Sequence, residues 1–279
     1  MNEDVTAIRR ILVALDSSPH SMAALETAVE LAANLGARII GLFVEEANLL
    51  RAAELPLALE IGTLSPSPRR LHRHELERHL RAQAGRLRQR MAQLADERGV
   101  PWHFRVSRGS VSTELLASSA EADLIIVGKA GRSISGRGYV GSTVRTLILQ
   151  GRSSTLILQH GQRILTPVLV VYDGSVTAQK ALRVAEALKH VKDYRLIVLV
   201  VAPDRDSAHE LRADLLERVE HANTDIRLLV DPDRSRLLRS IAAFGEAPLV
   251  LPCGAQGSLQ GEELCDLMMD VKNPVLLVR

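Results

Sequence analysis

Aromatic residues are scarce in this sequence: one Trp, three Tyr and three Phe in 279 positions. Base-stacking surfaces need exposed rings, so a nucleic-acid partner is not expected. Cysteine is almost absent as well. Cys253 and Cys265 both fall in the second half, which is no disulfide framework. No apolar run approaches the roughly 20 residues that span a bilayer. The first ten residues, MNEDVTAIRR, are charged where a secretory signal would be apolar. An excess of one charge is lacking too: the formal net value is +2, so charge alone indicates no polyanion. These absences point to a soluble, cytoplasmic protein with no membrane partner.

What is present is aliphatic. Apolar residues make up 46% of the chain, a composition suited to layered α/β packing. The length fits two domains of ordinary size, and the chain repeats itself. Arg10-ILVAL-Asp16 reads as a short buried strand ending in an acid. Ser17 and Ser18 form a turn that can cap the next helix. Ala24, Leu25, Ala28, Leu31, Ala32 and Leu35 share one face of that helix, Gly36 is placed to end it, and Arg38–Val44 reads as a second strand. Shifted by 157 residues, Pro167-VLVVY-Asp173 reproduces the first strand and its acid. Leu182, Ala185 and Leu188 fall on Leu25, Ala28 and Leu31, and Leu196, Leu199 and Val201 fall on Ile39, Leu42 and Val44.

Later blocks match at smaller shifts. PLVLPC-Gly254 with Gly257 matches Leu124 to Gly131 at 126, and Pro274–Val278 matches Ser154–Leu158 at 120. The first half therefore carries about 31 extra residues between Val44 and Val100, and six in a glycine loop. Val100–Val106 and Ile226–Val230 supply the middle strands. Strands alternating with helices predict, in each half, a five-stranded parallel sheet with helices on both faces. The domains predicted are residues 1–162 and 163–279.

Leu124-Ile125-Ile126-Val127 is an apolar run stopped by Gly128, as in a strand buried on both faces. Gly131, a polar loop with Arg132, Arg137 and Gly138, and then Gly141-Ser142-Thr143 follow. From Thr143 the apolar residues Val144, Leu147 and Ile148 recur at helical spacing. Glycines let backbone N–H groups close around an anion, and a helix start adds unpaired donors. Lys129, Arg132, Arg137 and Arg145 add positive charge nearby. The stretch reads as a phosphate cradle, and phosphates imply a nucleotide. Parallel sheets bind ligands beyond the carboxyl ends of strands, where strand order reverses. Asp16, Val44 and Gly128 all lie at such ends and are expected to converge.

On these residues the sequence resembles the universal stress protein family in its tandem form, over nearly the whole chain. The sharpest likeness is to the family's ATP-binding pattern of Gly, two residues, Gly, nine residues, Gly and Ser or Thr. Here it is Gly128-Lys129-Ala130-Gly131, Arg132 to Val140, then Gly141-Ser142. The resemblance implies two tandem Rossmann-like domains of the adenine-nucleotide alpha hydrolase-like kind. It implies ATP as the cofactor, with Mg as an optional companion. It implies Asp16 at the adenosine, backbone contacts near Val44 and Val127, and ribose and phosphate contacts from Gly128, Gly131, Gly141, Ser142 and Thr143. Ala14 and Arg132 complete the implied set.

The second half departs from that pattern. Gly254 and Gly257 are present, but only three residues separate Gly257 from Gly261, and Glu262 and Glu263 stand in the places of Ser142 and Thr143. Carboxylates there would repel phosphate and instead favour the following helix start. One competent nucleotide site, in the first half, is expected, although Asp173 is retained. The resemblance implies a nucleotide-dependent regulator of the stress response, acting through conformation or an unidentified protein partner. No catalytic base is positioned by the motif, so at most slow ATP hydrolysis is expected. The rival reading is an ATP-hydrolysing or adenylate-transferring enzyme of the same fold. Against it, the Ser-Gly-Gly-x-Asp-Ser loop of ATP pyrophosphatases, the His-x-Gly-His of nucleotidyltransferases and the P-loop pattern are all absent. A nucleotide-free scaffold is the third reading. Family members pair through their final strands. Leu156–Leu158 and Val275–Val278 are expected to make that contact within one chain, as an intramolecular pseudo-dimer, with further homodimerisation left open.

Three other features carry weaker signals. Arg69–Arg90 is basic and helical, and reads as the solvated face of a long helix. Within it His72 and His74 point to different sides, and with His79 they make no expected metal site. Residues 45–69 read as a short helix followed by a loop, serving equally as a lid or a plain insertion. Cys253 is expected to be buried and inert.

Overall fold

Alternate residues of an aliphatic strand face opposite sides of its sheet, so strands this apolar need helices on both faces. The computed structural model has that arrangement. It describes residues 8–55, 58–60, 68–128, 141–158, 167–187, 195–219, 223–253 and 261–279. The first domain runs β1 (Arg10–Leu15), α1 (Pro19–Leu35), β2 (Arg38–Glu46), α2 (Ala47–Ala52), β3 (Leu59–Glu60), β4 (Arg69–Arg70), α3 (Arg73–Asp96) and β5 (Trp102–Gly109). It continues with α4 (Val111–Ser119), β6 (Leu124–Gly128), α5 (Ser142–Gln150) and β7 (Ser154–Leu158). The second domain runs β8 (Val168–Tyr172), α6 (Val176–Ala187), β9 (Leu196–Ala202), α7 (Arg205–Arg218), β10 (Thr224–Val230), α8 (Arg234–Ala242), β11 (Leu249–Pro252), α9 (Gly261–Asp270) and β12 (Val275–Val278).

The strands lie in one sheet in the order β10-β9-β8-β11-β12-β7-β6-β1-β2-β5. Each domain contributes five strands in the same internal order, and all pairs are parallel within a domain. At the centre β12 and β7 pair antiparallel, Leu276 opposite Leu156. The final strands thus make the expected intramolecular contact. Ile11 and Val13 pack with α1, α3, α6 and α7 residues on one face, and Leu12 with α4, α5, α8 and α9 residues on the other. Fully burying each such aliphatic side chain is worth about 1.5–3 kcal/mol. No helix among the described residues is long and apolar enough to cross a membrane.

Helix α1 shows how local signals set the boundaries. The Ser18 hydroxyl accepts a hydrogen bond from Ser21 N, Pro19 opens the helix, and Gly36 closes it at φ 63°. The long basic helix begins at Arg73 rather than Arg69. Arg69 and Arg70 instead form β4, a two-residue ribbon with β3. The middle strand of the first domain is shifted later than expected, to Trp102–Gly109, because the chain turns at Gly99 (φ 65°) and Pro101 precedes the ladder. The insertion does hold a short helix, α2; residues 56–57 and 61–67 lie outside the described residues.

Two tethers fix the start of the sheet and the turn above it. The Asp123 carboxylate accepts hydrogen bonds from Arg9 N (3.0 Å), Arg10 N (2.9 Å) and the Arg10 guanidinium (3.0 Å), holding β6 beside β1. Burial opposes ionisation of Asp123, but the Arg10 guanidinium and the two backbone N–H groups outweigh it, so its pKa lies below the ordinary carboxylate value. After β1 the backbone enters the left-handed region at Ser17 (φ 63°), and after β8 at Gly174 (φ 79°). The two positions are 157 residues apart, so both domains use the same turn. Only Gly174 adopts it without steric cost.

Two stability outcomes follow from these tethers. A depressed folded-state pKa stabilises above the unfolded value of about 3.9 and ceases to do so as pH falls through the lower folded value. Asp123→Asn is expected to lower stability by about 1–2 kcal/mol at pH 7, with the deficit shrinking below about pH 4, read by denaturant titration across pH. A Cβ at Gly174 would stand 2.5 Å from Leu211 Cδ2. Gly174→Ala is therefore expected to cost about 1–3 kcal/mol, whereas Ser17→Gly gains up to about 1 kcal/mol, both read as shifts in thermal midpoint.

Candidate functional site

The strand order of the first domain reverses between β1 and β6: β2 lies on one side of β1, and β6 on the other. Their carboxyl ends part above the sheet and leave a pocket. Ala14, Leu15 and Asp16 of the β1 end line it, with Leu42 and Val44 of β2, and Val127 and Gly128 of β6. Val111 and Leu115, one turn apart on α4, form a further apolar wall, and Thr143 stands on the first turn of α5. The walls are aliphatic; the polar groups gather at the mouth. Of the residues singled out in the sequence, Ala14, Asp16, Val44, Val127, Gly128 and Thr143 all line this one cavity.

Asp16 sits where the chain leaves the sheet. Its Oδ1 accepts from Ser18 N (2.9 Å), its own N–H donates to the Ser21 hydroxyl (3.3 Å), and its carbonyl accepts from the Gln83 side chain (2.9 Å). The turn is thus held from both α1 and α3. Among the described residues Oδ2 has no partner, which leaves an exposed carboxylate oxygen at the pocket mouth. Ser18, Ser21 and Gln83 were not read as site residues. Ser18 is legible in the sequence only as a turn and cap residue, and nothing local brings Ser21 or Gln83 to Asp16.

Gly128 has a packing reason of its own. A Cβ there would lie 2.7 Å from His20 Cβ and 2.8 Å from the His20 carbonyl carbon. Only glycine lets the end of β6 lie against the first turn of α1, so the pocket's shape requires this residue whatever fills it. Beyond it, residues 129–140 lie outside the described residues, and with them Gly131, Arg132, Lys129 and Arg137. Helix α5 begins at Ser142 with Gly141 as its N-cap. It has no side-chain cap and no acid in its first turn, so its leading N–H groups keep their capacity for an anion. Gly141 and Ser142 flank the pocket without lining it; Ser142 is exposed and Thr143 is the hydroxyl that faces in.

Arg145 corrects one expectation. Its guanidinium pairs with Glu262 of α9, across the junction of the domains, rather than serving the pocket. One residue thus explains both ends of the pair: Glu262, in the place of Ser142, supplies a carboxylate to the neighbouring domain's helix as well as to the start of its own. Helix α9 carries both Glu262 and Glu263 in its first turn, so an anion at that end would meet two carboxylates. Residues 254–260, including Gly254 and Gly257, lie outside the described residues.

Other titratable groups are accounted for structurally. Glu45, 10% exposed at the end of β2, is paired with Arg108 (2.8 Å), which also reaches toward Glu77. Burial pushes the Cys253 and Cys265 thiols up, with Arg279 and Arg145 respectively opposing, so neither favours the thiolate form. Among the described residues no group of three or more His, Cys, Asp or Glu side chains is placed to hold a metal ion.

A family model described as the universal stress protein family matches residues 7–159 and again 165–239. No curated protein matches the chain. Among solved structures the fold is similar to a universal stress protein from Archaeoglobus fulgidus, at 17% identity and a TM-score of 0.72, over 96% of this chain and 97% of that one. It is similar to a functionally unknown protein from Pseudomonas aeruginosa, at 16% identity and 0.61, over 98% and 93%. The cytoplasmic domain of a prokaryotic cation chloride cotransporter matches at 13% and 0.54, over 97% and 95%. These likenesses speak to the fold of both domains together. With its two halves matched in turn by the family model, the chain belongs to the universal stress protein family, in tandem two-domain form.

Proposed function

We propose that the first domain binds ATP and that the chain acts as a nucleotide-dependent regulator of the stress response, through conformation or a protein partner. The observation that carries this reading is the pocket at the β1/β6 reversal, which combines the three chemistries a nucleotide presents. Leu42, Val44, Val111, Leu115 and Val127 offer an aliphatic slot suited to a purine ring. The Asp16 carboxylate, with one oxygen unpartnered among the described residues, suits a ribose hydroxyl. The acid-free start of α5, with Thr143 facing the pocket, suits phosphate. Gly131, Arg132, Gly141 and Ser142 belong to the same reading through their place in the motif. Mg would enter with the phosphates.

None of the described pocket residues is assigned as a general base. Among the described residues lining the pocket Asp16 is the one carboxylate, and this reading assigns it to the ribose, so it assigns slow hydrolysis at most. Regulation then rests on differential affinity: ATP favours whichever conformation of the chain binds it more tightly. The second domain is assigned no equivalent site, because Glu262 and Glu263 occupy the start of α9.

Nucleotide released from denatured protein, followed by ATP titration of the stripped chain, tests the reading. About one ATP per chain is expected. Asp16→Ala and Gly131→Ala/Ser142→Glu are expected to weaken binding at least tenfold, with thermal stability largely kept. Two ATP per chain would overturn the assignment of the second domain, and no binding would overturn the whole reading.

A further inference from the structure

The second domain has a recess of its own at the far edge of the sheet. β10 is an outermost strand. Arg227 and Leu229, two residues apart on it, face α8, which presents Arg236, Arg239, Ser240 and Ala243 along one helical stripe. Leu199 of β9, fully buried, forms the floor. The recess encloses about 290 Å³, near the lower end of small-molecule sites. Among the described residues that line it are three arginines and no acid.

The duplication supplies an internal control. Arg105 of β5 lies opposite Leu42 of β2, just as Arg227 of β10 lies opposite Leu199 of β9. The helices that follow, α4 and α8, have nine residues each. Glu121 and Phe244 therefore fall at the same place, two residues past each helix. In the first domain Glu121 takes Arg105 at 3.3 Å. In the second the acid is replaced by a ring, and Arg227 stands 4.5 Å over it, held at the side by Asp225 (3.2 Å). Counting from the N-caps Ser110 and Asp233, Thr113 and Leu116 are the counterparts of Arg236 and Arg239. Asp225, in the place of His103, takes over the pairing with Arg227 that Glu121 makes with Arg105, so the net change at the recess is two added arginines, Arg236 and Arg239.

Like charges gathered on one surface oppose folding unless something neutralises them. The Arg236 guanidinium donates to the neutral Val230 carbonyl (3.0 Å), and it has no ion pair among the described residues. The Arg239 side chain has no partner among the described residues. We propose that this recess binds a small phosphate monoester with an apolar body. Guanidinium forks match phosphate oxygens, and a dianion answers several arginines where one carboxylate would not. Leu199, Leu229 and Ala243 receive the apolar part. The site lies on the opposite wing of the sheet from the Asp16 pocket and does not depend on how that pocket is filled.

Phenyl phosphate is the probe, titrated calorimetrically at low ionic strength into the full-length, nucleotide-stripped chain. Saturable binding at one per chain is expected. Arg236→Gln/Arg239→Gln should weaken it at least tenfold, and inorganic phosphate should bind at least tenfold more weakly than the probe. Arg239→Glu, at an exposed position, is the second variant and should abolish binding with the thermal midpoint kept. No saturable binding by the unaltered chain overturns the proposal. So does a loss below tenfold in the double variant, retained binding in Arg239→Glu, or inorganic phosphate binding as well as the probe.

Discussion

The antiparallel pairing of β7 with β12 is the contact on which the remaining architecture depends. Each strand would otherwise be the apolar, unpaired edge of a five-stranded sheet, a template for association. Ser154–Leu158 and Val275–Val278 are buried along their whole length, so the pairing satisfies their backbones and hides their side chains together. It also brings α5 against α9. Arg279, just beyond β12, donates to the carbonyls of Leu147 and Ile148 at the end of α5, where the helix dipole favours a cation. Arg145 meets Glu262 across the same junction, an exposed pair that contributes more to register than to stability. The helix that starts at the first domain's pocket is therefore held at its far end by the second domain.

That arrangement explains why a duplicated fold carries two unlike halves. The sheet positions are alike: the same strand order, the same turn after the first strand, and an acid at Asp16 and Asp173. The differences sit where the sheet does not dictate sequence, at helix starts and outer edges. Glu262 in the place of Ser142 changes the electrostatics of one helix start. Phe244 in the place of Glu121 changes those of one sheet edge.

Much of the fold was legible because it rests on local periodicity and on the repeat. Gly36 closes α1 as its position indicated, and the acid after β1 lines the pocket. The Asp16, Val44 and Gly128 ends converge because the strand order reverses where parallel-sheet rules place it. What the sequence did not disclose depends on tertiary partners. Gln83 meets the Asp16 carbonyl from 67 positions away, and Arg145 turns to a carboxylate contributed by the other domain. Arg69 and Arg70 have helical propensity, yet ribbon pairing with Leu59 and Glu60 overrides it. Ser17 gave no sign of a left-handed backbone; its counterpart Gly174 did, and only alignment of the halves connects them.

The junction has a further consequence once the two halves are regarded as subunits. Joined by one backbone, they meet at an effective concentration that dilution cannot lower, so their pairing is indifferent to how much protein a cell holds. Subunit exchange with related single-domain chains is closed off, because the edge through which such chains would mix is already occupied. A mutation in a symmetric dimer alters both sites at once; here it alters one. Half of the molecule is free to lose a site, or acquire another, while its twin stays as it was.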